Sequence, residues 1–191
     1  MNLNCNKMEL FMMGNKKKIY IVLTYTGTIL SKIIKGYTRA EYCHVSLALD
    51  ENLEEMYSFG RIHPYNPFIG GFVHEGINIG TFKRFKNTKA LIYSLEIDEI
   101  KYKKIKSLIK KIEYKKDLYR FNTIGLFASG FNIRVKRKYY FYCAEFVKYL
   151  LDESDVDTEL PEIIKPIDFK EIDNLNLKYS GFLKNYGIIR N

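Results

Sequence analysis

The apolar stretches of this 191-residue chain are short, and that sets the first limit on what it can fold into. The segment KIYIVLTY at residues 18–25 is dense in β-branched and aromatic side chains and reads as a buried strand. No stretch approaches the ~20 apolar residues that a membrane-spanning helix needs, so a spanning helix is not expected. A hydrophobic fraction of 47% supplies enough apolar side chains for a core and argues against disorder. The length suits one domain, and no internal repeat, Pro- or Ser-rich linker or composition break divides it.

Residues 18–191 are expected to form that domain, with 1–17 as an N-terminal extension. Gly27 opens TILSKIIKGY, where Ile29, Leu30, Ile33, Ile34 and Tyr37 share one helical face. The segment YCHVSLALD at 42–50 alternates: His44, Ser46 and Ala48 fall on one side, Cys43, Val45, Leu47 and Leu49 on the other. The polar turn ENLE then leads into a second strand over 55–61, making a hairpin. HPYNPFIGG, with Pro64, Pro67, Gly70 and Gly71, reads as a loop. Strands are expected at 71–76 and 89–97. An amphipathic helix follows at 98–117, with Ile105, Leu108, Ile109 and Ile112 as its stripe. TIGLFASGF reads as a short buried helix, CAEFVKYLLDES as another, and LKYSGFL as a last strand. Hairpins dominate, which predicts an α+β domain rather than a doubly wound sheet.

Thirty-one basic against 22 acidic residues leave a net charge of +9, in clusters at Lys16–Lys18, Lys101–Lys111 and Arg134–Lys138. Such a balance admits nucleic acid, an anionic membrane surface or an acidic substrate, but the lysines are scattered, and a solvated basic surface is the reading preferred. The first residues lack the charge and apolar order of a secretory signal, so a cytoplasmic location is expected. Three cysteines, Cys5, Cys43 and Cys143, form no close pair, which argues against a disulfide framework or a metal knuckle. Each is core filler or a reactive thiol. With three histidines and no carboxylate cluster around them, no metal and no cofactor are expected.

Cys143 stands where a helical period begins, after the aromatic run YYFY. A thiol there meets unpaired backbone N–H groups and the positive end of the helix dipole, both of which favour the nucleophilic thiolate. Its place on the face of Phe146, Val147 and Leu150 equally suits a small core residue. His44 lies in an otherwise apolar strand, where an unpartnered ring would cost a few kcal/mol, so it needs a partner or a task. His63 falls in the Pro-rich segment and His74 on a surface strand.

Three pieces occur in order: a strand followed by Ser31-Lys32-Ile33, the strand His44-Val45-Ser46-Leu47-Ala48-Leu49-Asp50, and Cys143-Ala144-Glu145-Phe146-Val147. Together they resemble the permuted NlpC/P60 papain-like enzymes (the YiiX/YycO-like branch), in which the His strand precedes the Cys helix. The resemblance spans residues 18 to about 151. It implies a circularly permuted papain-like fold, a small antiparallel sheet or barrel packed against helices. It further implies a thiol hydrolase cleaving an amide, such as a cell-wall-type peptide, with Cys143 as nucleophile and His44 as general base. The family's third residue, which orients the ring, maps to Ser58, a weaker acceptor than usual; Glu75, Asp50 or a backbone carbonyl are alternatives. Thr24, Tyr25, Thr26 and Glu75 are expected near the substrate. A second reading is an acyltransferase or lipid deacylase: Tyr142-Cys143-Ala144-Glu145-Phe146-Val147 is similar to the N-C-E-H-F-V motif of the lecithin:retinol acyltransferase group, and an apolar mouth near Phe68 and Phe72 would suit a lipid surface. A third is a catalytically silent basic binding module, for nucleic acid in particular, with exposed Tyr and Phe as stacking platforms.

Overall fold

A β-sheet with apolar side chains on both faces organises the structure. The computed structural model describes residues 15–28, 31–32, 35–36, 40–63 and 66–187, with 66–68 described by backbone alone. Strands β1 (Lys16–Tyr25), β2 (His44–Ala48), β3 (Met56–His63), β4 (Asn66–Glu75), β5 (Lys89–Asp98) and β8 (Asn176–Phe182) form one open sheet. Its order is β4-β3-β2-β1-β5-β8 and all its pairings are antiparallel. Two short strands, β6 (Arg120–Phe121) and β7 (Tyr140–Phe141), pair in parallel beside it. The helices are α1 (Gly80–Arg84), α2 (Glu99–Tyr114), α3 (Thr123–Gly130) and α4 (Cys143–Asp152), and residues 31–32 and 35–36 are also helical. The molecule is therefore α+β, with an open sheet and not a closed barrel.

Central β1 explains why its sequence is almost unbroken in apolar residues. Ile19, Ile21 and Leu23 point into the larger core, which holds Ile105, Ile109 and Ile112 of α2 and Phe146, Val147 and Leu150 of α4. Tyr20 and Val22 point to the other face, which Phe82, Leu183 and Tyr186 cover. A strand buried on both sides has no need to alternate. Strand β2 alternates as its sequence suggests, with Val45 and Leu47 in the larger core and Ala48 in the smaller. In the turn that follows, the Asp50 carboxylate accepts from the Glu54 and Glu55 N–H groups at 3.1 and 2.6 Å.

The loop expected over HPYNPFIGG is corrected, because β3 runs to His63 and β4 starts at Asn66. Pro67 is tolerated because β4 is an edge strand, where a missing N–H costs no ladder bond on the open side. Gly70 is demanded by close approach: a Cβ there would lie 2.9 Å from the Gly60 carbonyl oxygen and 2.9 Å from the Phe121 ring. Those glycines read as punctuation in one dimension, yet they let β6 pack onto the hairpin. Phe72 is likewise no lipid-facing mouth but a core residue, stacked near Tyr57 and edge-on to Phe59 and Phe146. The side chain of Phe68 lies outside the described residues.

Helix α3 occupies the expected segment but is buried on one side only: Leu126 and Ser129 face inward while Ile124, Phe127 and Phe131 are exposed. The expected helical face of Ile29, Leu30, Ile33, Ile34 and Tyr37 lies outside the described residues, as does most of the 1–17 extension, although Lys16 and Lys17 belong to β1. Among the described residues no helix is long and apolar enough to cross a membrane.

Candidate active site

Cys143 is delivered by a chain of local constraints. Strand β7 pairs with β6, and the N–H of Asn122 donates to the Phe141 carbonyl at 2.9 Å, which fixes the backbone two residues before the thiol. Tyr142 then sits at the N-cap in an extended conformation, its hydroxyl donating to the Ile164 carbonyl at 2.8 Å. The Glu145 carboxylate reaches back to accept from the Tyr142 N–H at 3.1 Å, replacing the Ser or Asp cap that the segment lacks. Asn122, fully buried, donates to the same carboxylate at 3.1 Å and to the Val135 carbonyl at 3.0 Å, and its side-chain oxygen accepts from the Gly125 N–H at 3.0 Å. One amide thereby ties the start of α3 to the start of α4. Cys143 is the first residue of α4, so the N–H groups of that first turn have no acceptor four residues earlier.

His44 begins β2, opposite Thr24 of β1. On its other side the β2–β3 ladder holds only Leu47↔Tyr57 and Ala48↔Met56, so the pairing stops short of the histidine and the two strands part around the ring. Gly60 leaves the necessary room, since a Cβ on it would come 3.3 Å from His44 Cε1. The ring's Nε2 donates to the Glu75 carboxylate at 3.2 and 3.3 Å, and the Ser46 hydroxyl donates to the same carboxylate at 2.5 Å. With Nε2 engaged by Glu75, the ring borders the same cleft as Cys143, whose proximity acts on its charge.

The electrostatics follow from this packing. Burial, the largest effect, opposes charge on His44, but the Glu75 carboxylate and then Cys143 outweigh it, and together they push the imidazole up to about 10. Glu75 is equally enclosed; burial works to raise it, yet His44, Ser46 and Ser58 hold it below the ordinary carboxylate range. The carboxylate is thus ionised and the ring holds its proton at neutral pH. The second cysteine is different. Burial, with Cys143 as the next cause, pushes the Cys43 thiol up to about 12, so it stays protonated beside the site.

The orienting position goes to Glu75, not Ser58. Ser58 is fully buried with no hydrogen-bond partner of ordinary geometry, whereas Glu75 extends from the neighbouring edge strand and takes the ring nitrogen directly. Asp50 is occupied in its own turn. Glu75 accordingly serves the histidine and also borders the cleft that holds Cys143 and His44. Of the other three expected there, Thr26 borders the cleft that contains Cys143 and His44. Thr24 is buried on β1 in register with His44, and Tyr25 carries the Lys35 ammonium 5.0 Å over its ring. Lys138 sits over Tyr139 and Lys136 acts on Glu145, so the nearby cations serve the scaffold. His74 is exposed, its ring stacked on Tyr57 and hydrogen-bonded to the Glu54 carbonyl, and His63 is an exposed strand end.

Arg61 was not singled out by the sequence, though a lone arginine ending the EMYSFGR strand was a visible signal. It borders the cleft, donates to the Thr28 hydroxyl at 2.7 Å and lies 5.7 Å from the Phe85 ring centroid. Comparison with protein-family models, with curated proteins and with solved structures finds no match to this chain.

Proposed function

We propose that this chain is a thiol hydrolase of the permuted papain-like type, which cleaves an amide bond through Cys143 and His44. The observation that carries the reading is the convergence of the Cys143 side chain, the His44 ring and the Glu75 carboxylate on one cleft. Thiol, base and orienting carboxylate come from α4, β2 and β4, three elements that local sequence does not oblige to meet.

In this reading His44 already holds the proton of the Cys143 thiol, and the sulphur attacks the amide carbonyl carbon. The carbonyl oxygen takes the negative charge, and the unpaired N–H groups opening α4 steady it. His44 returns its proton to the leaving nitrogen as the C–N bond breaks, leaving a thioester on Cys143. Water, giving a proton to His44, then displaces the sulphur and releases the acid. Glu75 fixes the ring through Nε2, and it offsets the positive charge that the ring carries until that return.

The test is a hydrolysis screen over γ-glutamyl-diaminopimelate peptides, other amides and lipid esters, run beside Cys143→Ala and His44→Ala. Both variants are expected to lose turnover by at least about 1000-fold while melting as folded proteins. Either variant matching the parent would remove the enzyme reading. A second reading, lipid deacylation or acyl transfer, is favoured by one observation: Leu126 of α3 borders the cleft while Ile124 and Ile133 around it are exposed. Release of fatty acid in the same screen, lost in Cys143→Ala, would select it.

A further inference from the structure

We infer that Arg61 is a recognition residue for a small carboxylate on the substrate, set beside the reacting thiol; the inference rests on the thiol-hydrolase reading and names what its cleft selects. Arg61 sits on β3 one residue beyond Gly60, the position that makes room for the His44 ring, and its side chain borders the same cleft as Cys143. It is half-buried, and its one short hydrogen bond among the described residues goes to a neutral partner, the Thr28 hydroxyl. A guanidinium has five N–H donors, and a half-buried one without an ion-pair partner keeps most of its fork unused.

A second guanidinium stands close to it. Arg84 of α1 lies on the same Phe85 ring, 5.3 Å from its centroid; burial is the main cause that lowers Arg61, Cys43 opposes it, and the second guanidinium adds to the lowering. The planar fork favours a carboxylate, which it can bind through two parallel hydrogen bonds. Thr28 sets the side chain's orientation, and is itself held in a local network: its carbonyl accepts from the Ser31 hydroxyl at 2.8 Å.

The experiment needs no knowledge of the natural substrate. Cys143 is alkylated with iodoacetate, an anion, and with iodoacetamide, its neutral isostere; in both, a C–S bond forms, iodide leaves and the thiol proton remains on His44. Rates are read at Cys143 by peptide mass spectrometry, in the parent, Arg61→Gln and Arg61→Lys. The expected result is that Arg61→Gln lowers the iodoacetate-to-iodoacetamide rate ratio by about tenfold, while Arg61→Lys, which keeps the charge, lowers it less. Acetate should protect the parent against iodoacetamide and should not protect Arg61→Gln. An unchanged ratio in Arg61→Gln, with Cys143 still reactive, overturns the carboxylate assignment and leaves the thiol reading standing. Protection by inorganic phosphate but not acetate also overturns it, in favour of a phosphorylated ligand. A Cys143 inert to both reagents overturns the thiol reading, and this inference falls with it. The iodoacetamide rate in each variant shows whether the cleft is intact, so a misfolded variant is not read as a loss of recognition.

Discussion

Glu75 is the residue on which the electrostatics turn, because it converts a buried imidazole, which burial alone would keep neutral, into a strong base. Glu75→Gln keeps the size and one hydrogen bond but removes the charge. It is expected to lower kcat on any amide found by the screen by about 100-fold, and to move the His44 titration downward when followed by NMR. The sign for stability follows from the same shift. A base raised in the folded state stabilises fully below the ordinary histidine range, and that contribution is lost as pH climbs through about 10. Thermal unfolding followed from neutral to alkaline pH is therefore expected to fall over that interval, and less steeply in Glu75→Gln. A slope identical in the two proteins would contradict the coupling of His44 to Glu75.

Asn122 shows how far the site depends on contacts between elements. Its amide serves the Glu145 carboxylate, the Val135 carbonyl and the Gly125 N–H, so Asn122→Ala leaves buried polar groups unmatched at the starts of both α3 and α4. A loss of about 1–3 kcal/mol is expected in chemical denaturation, together with a slower alkylation of Cys143 as its turn loosens. The elements themselves were largely legible in the sequence. Strand β1 announced itself by its apolar run, α2 by its isoleucine stripe, and α4 by Phe146, Val147 and Leu150 behind a cysteine. The Pro- and Gly-containing β4 was not, because what licenses it is an open sheet edge and the approach of Phe121, both tertiary facts. The same blindness hid the orienting carboxylate: Ser58 and Glu75 lie on adjacent strands, and strand spacing along the chain does not say which side chain reaches across to His44. Helix α1 and the β6–β7 pair are too short to leave a periodic signal.

Across the whole molecule, one aromatic cluster joins the sheet to the helix that carries the sulphur. Phe59 of β3 meets Phe146 of α4 at 5.0 Å between ring centroids and Phe141 of β7 at 5.3 Å. Phe146→Ala is expected to cost about 3–5 kcal/mol in equilibrium unfolding, since it empties a fully buried site that cannot collapse around three other rings. The chemical groups are also divided along the chain. Imidazole and carboxylate sit before the exposed turn at Lys116–Leu118, and the sulphur comes after it. A protease cut in that turn would leave the proton acceptor on one fragment and the nucleophile on the other, each chemically mute alone. Only their reassociation across the sheet would restore a working pair, so any activity in this protein is a property of the whole chain and not of a portable peptide.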